Sequence, residues 1–84
     1  MSSVADWKNV KYNETLEEEL RGLQRRRNAD PSLTVEDIEG VLKHLYILYG
    51  GEGDRGEVQE LARAATIAAY ESFIADWKAE VKTL

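Results

Sequence analysis

EVQELARAATIAAYESFIADWKAEVKTL, residues 57–84, contains no Pro and no Gly and reads as one uninterrupted amphipathic helix with two apolar stripes. The first stripe, Val58, Leu61, Ala62, Ala65, Ala68 and Ala69, is made of small residues that let a neighbouring helix approach closely. The second, Ile67, Tyr70, Ile74, Trp77 and Val81, follows a heptad-like i, i+3, i+7, i+10, i+14 spacing into the C-terminal half. Two stripes call for two partners, and the preceding sequence must show how many it supplies.

Immediately upstream, Gly50–Gly56 is a glycine-rich loop in which Asp54, with Glu57 three residues on, can cap the final helix. Before the loop, Leu33-Thr34-Val35-Glu36-Asp37-Ile38 carries a strong helix-start signal. Thr34 is the N-cap, Asp37 completes a variant capping box, and Leu33 faces Ile38 as a hydrophobic staple. The helix so begun, residues 34–49, is nearly apolar over Val41, Leu42, Leu45, Tyr46, Ile47, Leu48 and Tyr49, so it is expected to be the most buried element and to cover the alanine face of helix 3. Without its cap, Leu45–Tyr49 could pass for a buried strand; the cap and the helical spacing from Ile38 onward decide for helix.

Asn28-Ala29-Asp30-Pro31-Ser32 is a turn, because Pro31 cannot continue a helix and drives Asp30 out of the α region. The segment before it, residues 13–29, is predicted as a helix with Asn13 as N-cap and a narrow stripe of Leu16, Leu20 and Leu23. Its acids precede its arginines, which suits the helix dipole, and Gly22 weakens it by about 1 kcal/mol relative to Ala. Residues 1–12, with Val4, Trp7, Val10 and Tyr12 among polar neighbours, read as an arm.

The expected architecture is therefore all-α, one domain over residues 1–84, with three helices of which the last is long. Helices of about 16 residues span ~24 Å against ~40 Å for the last, so about three turns carrying Phe73, Ile74 and Trp77 are expected to overhang. A chain of 84 residues has a small core, and oligomerisation commonly supplements one of this size. The bundle is accordingly expected to be completed by self-association, with Ile67, Tyr70, Ile74, Trp77, Val81 and Trp7 as the interface. Burying a Trp side chain contributes up to ~4–6 kcal/mol before entropy, enough for Trp77 to decide whether a dimer forms.

Composition excludes several function classes. There is no Cys and a single His, which leaves no ligand set for a structural zinc and no thiol chemistry. The net charge of −5, from 16 acidic and 11 basic residues, argues against nucleic acid and anionic lipid as default partners. No apolar run approaches membrane-spanning length and residues 1–7 lack the features of a signal peptide, so a cytoplasmic protein is expected.

Four local features invite a chemical reading. Gly51-Glu52-Gly53-Asp54-Arg55-Gly56 has the spacing of a dinucleotide-binding loop, but a capped helix stands where a strand is needed and its acids would repel phosphate. Arg21, Arg25 and Arg26 are candidates for contact with an anion or an acidic partner, although the order of charges along helix 1 already accounts for them. His44 has no companion that would make it a relay, and no nucleophile, base and orienting group can be assembled. The tetrapeptide Ala-Asp-Trp-Lys occurs at 5–8 and at 75–78, which makes Trp7 and Trp77 candidate twin anchors.

The function expected from these features is a small acidic helical protein–protein interaction module, not an enzyme and without cofactor or metal, that self-associates through its C-terminal helix. An adaptor, inhibitor or antitoxin-like protein using the same seam on a different protein is the alternative, and a nucleic-acid-binding regulator using the helix 1 arginines is the second.

Overall fold

The structure, a computed structural model, describes residues 4–50 and 57–83. It is all-α: α1 is Val4–Ala29, α2 is Val35–Gly50 and α3 is Glu57–Thr83. The glycine-rich loop, with its dinucleotide-like spacing and the Asp54 cap, lies outside the described residues. Among the described residues no helix is long and apolar enough to cross a membrane.

The turn into α2 forms as its residue types require. Asp30 Oδ1 accepts hydrogen bonds from the Ser32 amide at 3.0 Å and the Ser32 hydroxyl at 2.7 Å, closing an Asx turn around Pro31. These two bonds, the hydroxyl's the larger influence, hold the Asp30 carboxyl below the usual carboxylate range. The capping box is reciprocal: the Asp37 amide donates to Thr34 Oγ1 at 3.2 Å, and the Thr34 amide donates to Asp37 Oδ2 at 3.0 Å. Leu33 is buried and Ile38 is fully inaccessible (0 %), as a staple demands.

Cross-helix pairs set the directions. Arg27 of α1 reaches Glu80 of α3, and Tyr70 of α3 feels the charges of Glu19 and Arg26, so position along α1 rises with position along α3 and the two run parallel. On the other side Glu39 meets Lys78, Tyr46 meets Glu71 and Tyr49 meets Arg63, so α2 runs antiparallel to α3. Helix α3 packs on both neighbours, most extensively on α1, whereas the backbones of α1 and α2 do not come together among the described residues. Their side chains converge on one core of Leu23, Leu33, Ile38, Leu42, Phe73 and Ile74.

Two expectations about helix 1 are corrected. The helix starts at Val4 and not at Asn13, so most of the expected arm is helical. Asn13 is exposed in mid-helix, and the partly covered positions Lys8, Tyr12, Leu16, Leu20, Leu23 and Arg27 recur every three or four residues along one side. That periodicity carries the apolar stripe upstream past Asn13. At 26 residues α1 nearly equals the 27 of α3. Phe73 and Ile74 are buried and Trp77 packs against the core, so the turns of α3 that carry them do not overhang.

The faces of α3 are also assigned differently from expectation. Ala62, Ala65, Ala69, Phe73 and Glu80 share one side, and Glu80 pairs with α1, which places the alanine face against α1 and not α2. Ala65 and Ala69 are fully inaccessible (0 %) there. Arg63, Ile67, Ile74 and Lys78 share the adjacent side, which α2 covers through Tyr49 and Glu39. A parallel helix as long as α3 can lie along the shallow alanine track for its whole length; the shorter α2 takes the adjacent side.

Candidate functional site

Of the six residues expected at an interface, four are engaged within the chain. Ile74 is buried, while Ile67, Tyr70 and Trp77 are partly buried against the core. The seam is shared within the chain: Ile67 and Ile74 lie on the side of α3 that α2 covers, whereas Trp77 lies under Arg27 of α1 and Tyr70 is near Glu19 and Arg26 of α1. Val81 (58 %) and Trp7 (40 %) remain exposed.

Trp77 shows how tightly that end is tied. Its ring packs edge-on against Phe73, with centroids 5.7 Å apart and planes at 82°. The Arg27 guanidinium lies over the ring at 4.0 Å from its centroid. The same guanidinium donates two hydrogen bonds to Glu80, from Nη1 to Oε2 at 3.1 Å and from Nη2 to Oε1 at 3.0 Å. A planar fork is needed to do both, which a lysine could not. The hydrogen bond with Arg27 holds the Glu80 carboxyl below the usual carboxylate range and raises Arg27.

The two tryptophans are not twin anchors on one surface. Because α1 and α3 run parallel, Trp7 near the start of one and Trp77 near the end of the other lie at opposite ends of the molecule. Of the arginines proposed for anion contact, Arg21 lies 3.9 Å from Glu17, its i−4 neighbour, and Arg25 and Arg26 are exposed. The order of acids first and arginines last along α1 suits the helix dipole.

Beside Trp77 the α2 start and the α3 end frame a groove of about 480 Å³, lined by Leu33, Val35, Trp77 and Val81 with Glu36, Lys78 and Lys82 among its polar groups. Lys78 is fixed there by an ion pair with Glu39 at 2.6 Å. The capping box consumes Thr34 and Asp37, so the α2 terminus at the groove has its cap in place. Among the described residues no three His, Asp or Glu side chains come together in a way that could hold a metal ion.

The feature sequence reasoning missed is on α2. Expected to be the most buried helix, it exposes three consecutive large side chains, Tyr46, Ile47 (69 %) and Leu48 (54 %). Tyr46 is anchored, its hydroxyl donating to the Glu71 carboxylate, and this hydrogen bond is the main cause that raises its pKa. Ile47 has no such attachment to α3. It falls at i+11, i+7 and i+4 from Glu36, Gly40 and Lys43, all exposed, so its position on the polar stripe was readable from the spacing.

The site so described belongs to a small all-α unit in which one long central helix carries a parallel and an antiparallel neighbour. Compared with known proteins, the chain matches no family model, no curated protein and no solved structure.

Proposed function

We propose that the chain is a small acidic helical module, not an enzyme, that serves protein–protein association and binds a second copy of itself. The observation that carries the reading is the pair Ile47 and Leu48, large apolar side chains left in solvent on a well-capped helix whose opposite face fills the core. Single exposed apolar residues are ordinary, but two adjacent ones on a helix whose other end frames an apolar groove suit an association surface. The contribution of α3 is narrower than a whole seam: it offers Val81 and the groove wall, the remainder of the stripe being packed against the core within the chain.

Solution mass measured by sedimentation across the micromolar range tests this. A concentration-dependent rise from monomer to dimer is expected. A monomeric mass throughout refutes self-association and leaves the adaptor reading, in which the same surface binds a different protein. The nucleic-acid reading, which rests on Arg21, Arg25 and Arg26, has the acidic balance of the chain against it.

A further inference from the structure

Resting on that reading, we infer that the self-association surface is the outer face of α2, packed antiparallel on the same face of a second copy about a twofold axis near Val41 and Leu42, with Ile47 of each copy seated at the groove of the other.

The argument begins with reciprocity. Glu36, Gly40, Lys43 and Ile47 form one stripe at i, i+4, i+7 and i+11, and all four are exposed. The stripe has a knob at one end, Ile47, the most exposed large apolar side chain among the described residues. It has a hole at the other end, because the groove is lined by Val35 and Glu36. A twofold axis between Val41 and Leu42 sets Ile47 opposite Glu36 of the second copy and Lys43 opposite its Gly40, each knob and hole lying ~8 Å from the axis at 1.5 Å per residue. Knob and hole on one helix face, equidistant from a point between them, satisfy an isologous contact twice at once.

Charge and shape agree with the same register. Lys43 of one copy comes within side-chain reach of Glu36 of the other. Gly40, where an added Cβ would meet nothing within 4 Å, gives Lys43 and the second backbone room to approach. Helix α2 has no basic residue of its own in its last turn, where Arg63 of α3 lies over the Tyr49 ring, and the negative end of its dipole can take further cations. The antiparallel contact delivers that end to Lys78 and Lys82 at the groove of the second copy. Around the groove floor Leu33, Val35, Trp77 and Val81 supply the apolar lining that the Ile47 side chain needs.

Area decides the strength. A helix of 16 residues is ~24 Å long, and a contact strip of ordinary helix width gives roughly 400–500 Å² per copy, about 800–1,000 Å² in total. This sits at the lower bound for a specific interface, so the dimer should dissociate in the micromolar range.

Sedimentation of the full chain tests the inference with three variants. Ile47→Asp, at a position already solvent-exposed, should keep the wild-type helical circular dichroism and weaken the dimer at least about tenfold. Gly40→Leu should form helix at least as well as wild type, since Gly is the poorer helix former, and should also dissociate the dimer by wedging the two helices apart. Lys43→Glu should weaken dimerisation, and adding Glu36→Lys to the same chain should restore it, because each swapped pair forms only between copies. A wild-type dimer whose dissociation constant is unmoved by Ile47→Asp and Gly40→Leu overturns this surface while leaving self-association standing. A monomeric wild type removes both. A double charge swap no better than Lys43→Glu alone overturns the antiparallel register.

Discussion

Replacing Ala69 by Leu is the sharpest test of how α1 lies on α3. The Ala69 methyl is fully inaccessible, on the side of α3 that Glu80 shares with α1. Helix axes separated by small side chains lie near 8 Å, and those separated by large ones near 10 Å. Three added carbons therefore push α1 outward by up to ~2 Å or force the leucine off its rotamer, either of which typically costs about 1–3 kcal/mol. A displacement of that size also draws Leu23 from the core and lifts Arg27 from the Trp77 ring, now 4.0 Å apart. With a urea slope of about 1 kcal/mol/M for a small domain, the unfolding midpoint should fall by about 1–3 M. The control is Ala75→Leu, on the same helix but exposed, where a change within about 0.5 kcal/mol is expected. Both are read by circular dichroism at one protein concentration, so that mass action is held fixed. Equal midpoints for the two variants would refute the placement of α1 on the alanine face.

Three further predictions follow from local features. Gly22→Ala should stabilise by up to about 1 kcal/mol in urea unfolding, because the new methyl meets only the flexible end of Arg25 at 4.0 Å and helix propensity improves. Thr34→Ala should cost about 0.5–2 kcal/mol by the same assay, since it deletes the acceptor for the Asp37 amide. Glu80→Gln should show its effect in pH dependence: the folded carboxyl is held low by Arg27, so its contribution is complete above the unfolded-state pKa and is lost as pH falls through the lower folded value. The gap between wild type and variant in unfolding midpoint should thus be widest near neutrality and close in acid; a gap that persists there would contradict the pairing.

What was legible in the sequence was whatever short-range chemistry dictates. Thr34 and Asp37 stand three residues apart, and the reciprocal bonds they make need nothing but the start of a helix. Pro31 and Asp30 likewise define their turn without help from elsewhere. The start of α1 was not legible, because Asn13 is as acceptable in an exposed helical position as at a cap and only the cover provided by α3 decides between them. The faces of α3 were misassigned for a related reason. Both stripes are apolar, and which neighbour takes which depends on the length of α1, a quantity that rested on the uncertain start. The exposure of Ile47 was readable in its spacing from Glu36 and Lys43 but was masked by the density of apolar residues around it. Arg27, next in sequence to Arg25 and Arg26, is set apart only by the arrival of Trp77 and Glu80 from fifty residues downstream.

The parallel pairing of α1 with α3 also bears on the order in which the chain can close. The Tyr46–Glu71 contact joins residues 25 apart, whereas Arg27 and Glu80 are 53 apart. Loop-closure entropy grows with the logarithm of that separation, so the second closure costs about 0.7 kcal/mol more if made first. Formed after α2 has folded back on α3, it spans a chain already shortened by the hairpin. The entropy of the chain thus favours an α2–α3 hairpin as the early structure, with α1 docking later along its alanine track and the Arg27 fork acting as the latch at the far end.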